Sequence, residues 1–259
     1  MKNSRLLLVI MIIMFVFLLL PFVIILASSF SADATMKFPP RGFSLKWYGK
    51  VLNVEMFRTT FWVSLKIGLA ATTTALLLGI PVAYASVRRR YRLKAVVEVF
   101  FSSPAIVPGL VIGFALLRFF IFLTGMSIGL GLYLGHTAIL FPYTVRVVSA
   151  SLRNLDPAIE EAAVSLGSSP LFSFLSVVLP NIQSGLAAAF ILAFITSFSN
   201  VPISLFLTGP GVATLPIQML VYMEYYFDPT ISALSSILIV LTIVIVQSAE
   251  KVLGITKYM

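Results

Sequence analysis

The sequence predicts an all-α, polytopic membrane bundle of about six transmembrane helices. Three observations lead there. The 259 residues are 59% hydrophobic and only 10% charged, whereas soluble domains run about 45–50% apolar and about 25% charged. Mean hydropathy is +1.06, more apolar surface than a soluble fold of this length can hide, so lipid must cover much of it. The apolar residues fall in stretches near the ~20 that a helix needs to cross a ~30 Å hydrocarbon layer, not in the short alternating segments of a β-barrel.

Taken in order, the first stretch runs from Leu6 to Ala27 without a charge. Lys2 and Arg5 precede it and Ala27-Ser28-Ser29 follow, a signal-peptide-like frame. Its apolar core of about 20 residues is longer than a signal h-region, and a retained first helix is expected. The second stretch, Phe61 to Ala85, is interrupted by Lys66; the third, Val99 to Leu123, contains Arg118; the fourth, Ile128 to Val148, holds His136 and Arg146. The fifth runs from Gly185 to Leu207 and the sixth from Ile231 to Ala249. Lys66, Arg118 and Arg146 have long stems that reach an interface from within a span. One domain over 1–259 is expected, with neither linker nor internal repeat.

Charge orients the bundle. Arg88, Arg89, Arg90, Arg92 and Lys94 follow the second stretch and belong in the cytoplasm. Parity then puts both termini inside, with a cytoplasmic loop at about 153–183. The first outer loop runs against this rule, with Lys37, Arg41, Lys46, Lys50 and Arg58 against Asp33 and Glu55. A folded loop is expected there, and Phe38-Pro39-Pro40-Arg41-Gly42 is turn chemistry. The location implied is a membrane crossed several times, with the positive cluster and both termini on its cytoplasmic side.

Composition excludes several function classes. There is no cysteine, which removes disulfides and thiolate chemistry. The net charge of +9 belongs with anionic lipid and topology rather than with nucleic acid. His136 is the sole histidine, so neither a metal site nor a catalytic cluster is expected, and a buried hydrogen-bonded role suits it. No G-x4-G-K-[ST] phosphate loop occurs. No cofactor is expected.

The most informative segment lies in the fourth-to-fifth loop, from Asp156 to Pro170. Asp156 suits an N-cap and Pro157 the first helical position. Glu160 and Glu161 sit near the positive end of the helix dipole, and Gly167 stands where a left-handed C-terminal residue is wanted. Ser169-Pro170 starts a second helix in the same manner. A helix this short needs a partner surface, either on its own bundle or on another chain.

Glu161-Ala162-Ala163, three residues, Gly167, nine residues, Val177, one residue, then Leu179-Pro180 resembles the E-A-A-x3-G-x9-I-x-L-P loop of binding-protein-dependent ABC permeases, with Val177 in place of the usual Ile. The resemblance covers nearly the whole chain. Pro104-Ala105-Ile106-Val107-Pro108-Gly109 and the run from Phe38 to Tyr48 look like the spermidine/putrescine (PotC-like) branch of type I importer permeases. What this implies is a MetI-like permease fold. The loop helix would be a coupling helix seated in a cytoplasmic ATPase, with Glu160, Glu161, Ala162, Ala163 and Gly167 as its coupling residues. The implied partners are ATPase subunits on separate chains, a second and paralogous permease, and an extracytoplasmic binding protein.

For the substrate path, the fifth stretch carries Thr196-Ser197-Phe198-Ser199-Asn200-Val201-Pro202. Polar groups within a span are costly and mark pathways. Ser199, Asn200 and Pro202 are the path candidates, beside a reading in which they only bond neighbouring helices. Ser199-Asn200 stands where the polyamine branch carries acids, so the branch's solute class, a polyamine or related organic amine, meets no carboxylate there. Glu224 and Asp228 near the outer end either attract a cation or are solvated loop charges. The rival reading is an ion-gradient-driven secondary transporter, which would show inverted repeats and buried acids. A membrane enzyme would need a catalytic cluster that is absent.

Overall fold

The computed structural model describes residues 2–88 and 107–253, all of them helical or loop apart from two isolated bridges, Ser31 with Phe43 and Gly209 with Val212. Arg89, Arg90, Arg92, Lys94, the start of the third expected span and Pro104-Ala105-Ile106 lie outside the described residues. The helices are α1 (Lys2–Ser29), α2 (Lys46–Asn53), α3 (Glu55–Arg88), α4 (Gly109–Leu123), α5 (Ile128–Asn154), α6 (Pro157–Ser165), α7 (Pro170–Asn181), α8 (Gln183–Phe198), α9 (Pro202–Phe206), α10 (Leu215–Tyr225) and α11 (Thr230–Leu253).

Four of them, in α1, α3, α5 and α11, are long and apolar enough to cross a membrane, and α7 with α8 forms a pair bent by 72° that brings the number to five if it is one span. The described part of the third expected span is the shorter apolar helix α4. The fifth expected span is corrected. The helix does not continue from Gly185 to Leu207 but stops at Phe198 and restarts at Pro202. Proline has no N–H to give and its ring crowds the carbonyl four residues back, so a continuous helix through 198–202 is disfavoured.

Contacts divide the chain into two compact units, 1–59 with 218–245 and 60–217 with 246–259. In the first, α1 exposes apolar side chains on every side from Leu6 to Leu20, as a lipid-facing helix does. Its end is fastened by side chains. The Trp47 indole N–H donates to the Ser31 carbonyl at 2.7 Å, and the Ser29 and Tyr48 hydroxyls share a 2.7 Å bond. Gly42 takes φ +72°, and a Cβ there would lie 2.9 Å from that of Ala32, so the expected turn is built.

The excess of positive charge in this loop is partly neutralised at its end. Lys50 Nζ lies 2.6 Å from Asp228 Oδ2, and the Tyr222 hydroxyl and the Thr230 N–H donate to the same carboxylate at 3.1 and 3.0 Å. The Lys50 ammonium also faces the rings of Trp47, Tyr222 and Tyr226 at 5.7–5.8 Å, within cation–π range. Asp228 is therefore neither a free cation attractor nor a solvated loop charge.

In the second unit, α3, α5 and α8 meet over small residues. Ala71 and Ala75 pack with Leu140 and Ala193, and Ala83 with Val145, Val148 and Ala189. In hydrocarbon there is little hydrophobic gain between helices, so close approach and interhelical hydrogen bonds hold them; Thr144 Oγ1 donates to the Ala75 carbonyl at 3.0 Å. α4 approaches α9 through Gly109 and Gly113. A Cβ on Gly109 would stand 2.9 Å from Pro202 Cβ, and one on Gly113 would stand 2.7 Å from the Pro202 carbonyl oxygen.

Two expectations follow. Gly113→Val forces a branched side chain against the backbone of Pro202, and should destabilise the protein by about 3 kcal/mol, read as a drop in the detergent melting midpoint, while Val111→Ala on the exposed side of α4 should not. The second concerns pH. Burial raises the Asp228 carboxyl, but the hydrogen bonds from Lys50 and Thr230 outweigh it and hold the group below its ordinary 3.8. The hydrogen bond from Lys50 to Asp228 holds the lysine above 10.5. The stabilisation is thus complete between those two values, fades as pH falls through the carboxyl's lowered value, and fades as pH rises through the lysine's raised one. Asp228→Asn should lower the melting midpoint by a few degrees at pH 7, and the gap from the unsubstituted protein should narrow as pH falls below the ordinary 3.8; a gap that does not narrow there would refute the assignment.

Candidate functional site

Two constructions stand out, both in the second unit: the α6–α7 helix pair and the interruption between α8 and α9. The α6–α7 pair is built from local chemistry. Asp156 caps α6, its carboxylate accepting the Ala158 N–H at 2.9 Å, with Pro157 at the first helical position. Ser169 caps α7 through the Phe172 N–H at 3.3 Å, followed by Pro170. Such a cap is worth about 1 kcal/mol, enough to define the ends of helices too short to persist alone.

The turn between them is a Schellman motif. The Ser168 N–H bonds the Ala163 carbonyl at 3.1 Å and the Gly167 N–H bonds the Val164 carbonyl at 2.9 Å, with Gly167 at φ +95°. A Cβ at 167 would meet no atom of this chain within 4 Å. The need for glycine is therefore one of backbone conformation and not of space.

The candidate coupling residues part company on this helix. Glu161 and Ala162 are exposed, and Ala163 is half-buried. Glu160 faces inward, where its carboxylate lies 3.3 Å from Arg88 Nε and accepts the Tyr84 hydroxyl; the two charged side chains are only 12% and 13% exposed. Tyr84 and Arg88 lie four residues apart at the end of α3, hence on one helix face. The exposed side of the pair is apolar. Ile159, Val164, Leu171 and Phe172 are exposed, and Leu166 is 90% exposed.

At the interruption, Ser199 ends α8 in an exposed position, its hydroxyl donating to the Ile195 carbonyl at 2.7 Å. Asn200 turns its side-chain oxygen to the Ile203 N–H at 3.0 Å and so satisfies a donor at the start of α9. Pro202 occupies the first helical position and seats against Gly109 and Gly113. The three path candidates are thus adjacent, but each also has a local structural role.

His136, 1% exposed on α5, reaches both sides of the interruption. Its Nδ1 is 2.8 Å from Ser197 Oγ on α8 and its Nε2 is 3.0 Å from Ser204 Oγ on α9. A serine hydroxyl can donate or accept, so either neutral tautomer satisfies both ring nitrogens. Sequence reasoning missed Ser204, and missed that Arg88 and Tyr84 grip Glu160. Nothing local signalled either, since the i,i+4 spacing of Tyr84 and Arg88 puts them on one helix face but does not name their partner. Among the described residues no group of histidine, aspartate and glutamate is placed to hold a metal ion.

Comparison with known proteins bears on both constructions. Residues 75–254 match the family model described as a binding-protein-dependent transport system inner membrane component. The putrescine transport system permease protein PotI of Escherichia coli K12 is 31% identical over 239 residues, 89% of this chain and 84% of that protein. The spermidine/putrescine transport system permease protein PotC of the same organism is 29% identical over 237 residues, 91% of this chain and 89% of that one. A chain from the crystal structure of a bacterial ABC transporter involved in the import of the acidic polysaccharide alginate superposes with a TM-score of 0.74 at 18% identity, over 96% of both chains. At that identity the superposition speaks for the fold, while the family match spans 75–254 and takes in the α6–α7 pair and the α8–α9 interruption alike: this chain belongs to the inner membrane components of binding-protein-dependent transport systems.

Proposed function

We propose that this permease forms half of the translocation path of an ATP-driven importer, with α6 and α7 seated in a cytoplasmic ATPase carried on separate chains. The observation that carries this is the apolar outer side of the helix pair, with Leu166 90% exposed at its turn. An exposed leucine beside Ile159, Leu171 and Phe172 on capped, ordered helices is a surface built for another protein. Glu161 and Ala162 belong to that surface, Ala163 lies at its margin and Gly167 sets the angle between its two halves. A second and paralogous permease supplies the other half of the path, and an extracytoplasmic binding protein delivers the solute. Both termini then lie on the ATPase side.

ATP binding would draw the two loop helix pairs of the permease dimer together and turn the path from inward- to outward-facing, a rigid-body switch of the kind in which packed elements have two arrangements rather than a continuum.

The path is proposed to pass Ser199, Asn200 and Pro202. The two relatives are named for putrescine and spermidine/putrescine transport, and an organic amine is the solute class proposed for this chain. The interruption carries no carboxylate, but a helix C-terminus presents free carbonyls and a partial negative charge. The end of α8 at Ser199 is such a terminus, and broken helices in other transporters coordinate cations with such ends.

The test is purification of the tagged protein from its native membrane in mild detergent, followed by uptake of labelled putrescine into proteoliposomes. An ATPase and a second permease should co-purify; recovery of this chain alone under crosslinking would overturn the proposal. Gly167→Val at an unchanged membrane level adds a strain of about 1–2 kcal/mol at the turn and should cut uptake by about tenfold. Normal uptake by that variant would remove Gly167 from the coupling path.

A further inference from the structure

The Glu160 side chain faces away from the exposed side of α6, into a closed cluster made by the last turn of α3. One carboxylate oxygen lies 3.3 Å from Arg88 Nε as an ion pair, and the other accepts the Tyr84 hydroxyl. Arg88 Nη2 also donates to the Leu155 carbonyl at 3.1 Å, at the residue where α5 ends and α6 is about to begin. The Tyr84 ring lies 4.6 Å from that of Phe174, and the Ser173 hydroxyl donates to the Glu160 backbone carbonyl at 3.5 Å. One helical turn of α3 thus holds the exit of α5, the first turn of α6 and the body of α7.

We infer that the Arg88–Glu160 ion pair, braced by Tyr84, is a latch that makes the α6–α7 pair move as one body with α3. Glu160 and Arg88 are positioning residues in this reading, and neither touches the ATPase or the solute. Three features argue for a latch over an ordinary surface pair. Surface pairs hold long side chains weakly because water screens them, whereas both partners here are nearly desolvated. A desolvated charge that loses its partner is strongly disfavoured, so the pair has two states, closed or broken, with little between. And the carboxylate is held from two points four residues apart on one helix face, so a push on α6 is delivered to α3 as a displacement of the helix end rather than absorbed by side-chain rotation. α3 in turn packs against α5 and α8 through Ala75, Ala83 and Gly79, the core next to the α8–α9 interruption.

The inference rests on the proposal that α6–α7 receives the ATPase, and the experiment separates the two. The full complex would be purified with Glu160→Arg, Arg88→Glu, the double exchange, Glu160→Gln, and Leu166→Asp on the exposed face. ATPase co-purification, ATP turnover and solute uptake would be measured for each. The latch predicts that the single exchanges and Glu160→Gln keep the ATPase bound but lower uptake per ATP by about tenfold, and that the double exchange restores it to within about threefold. Single variants with undisturbed uptake per ATP, a double exchange no better than either single, or loss of the ATPase from Glu160→Gln would each overturn the latch. Leu166→Asp reports on the underlying proposal alone: loss of the bound ATPase supports it, and an intact, fully active complex overturns it whatever Glu160 does. Should the charge reversals fail to reach the membrane, Glu160→Gln with Arg88→Gln removes the ion pair without leaving either charge unpaired; the latch predicts that its uptake per ATP stays about tenfold low, and normal uptake by that double variant would overturn it.

Discussion

Every backbone polar group inside hydrocarbon must find a partner within the protein, since no water is there to replace a missing one. Most of what this chain does with its polar side chains follows from that demand. A continuous helix meets it automatically. The α8–α9 interruption does not, and the residues around it are spent on repair. The Ser199 N–H returns to Ile195 and the Asn200 N–H to Ser197, Asn200's side chain takes Ile203's N–H, and Pro202 removes one donor altogether. His136 then ties Ser197 to Ser204 across the gap. Non-helical backbone inside a membrane is tolerated only where protein or a cavity surrounds it, and this one is reached by α4 through Gly109 and Gly113 and by α5 through His136.

The same constraint explains the pairing of glycine with proline. α9 is five residues long and has little surface of its own to bury. It is held because α4 brings its backbone close at Gly109 and Gly113, where dispersion over a short distance replaces the side-chain area that is missing. In the first unit the demand falls instead on charge: Lys50, Asp228 and the aromatic rings around them form a closed electrostatic group at the point where the chain enters α11. Of the positive residues in this segment, Lys50 is neutralised in place by a partner carboxylate.

Much of this was legible in the sequence because it is written in short-range rules. The spans in α1, α3, α5 and α11 were evident from apolar length. Asp156-Pro157, Gly167 and Ser169-Pro170 marked the ends of α6 and α7 because caps, prolines and left-handed glycines act within four residues. Pro202 announced a weakness in its helix, though not that the helix stops outright at Phe198, since that depends on Asn200 capping a new helix and on glycines in α4 that make room for it. Long-range pairings were not legible. Arg88 read as one member of a positive cluster and Glu160 as one of two acids in a helical first turn; 72 residues separate them, and no local pattern encodes their meeting. His136 was expected to be buried and bonded, but its partners lie 61 and 68 residues away.

Gly167 carries a consequence beyond the turn it makes. Because no atom of this chain lies within 4 Å of a Cβ placed there, the obstacle to substitution within the chain is the handedness of the backbone alone. Alanine already incurs most of the cost, and a larger unbranched residue adds little more. A buried glycine can be relieved by trimming a neighbour, as the one at 135 is by a smaller residue in place of Leu207, whose Cδ1 a Cβ there would meet at 2.9 Å; no change elsewhere in the chain makes an L-residue comfortable at φ +95°. Drift at this position therefore meets a step rather than a slope, and second-site compensation must alter the path of the loop itself.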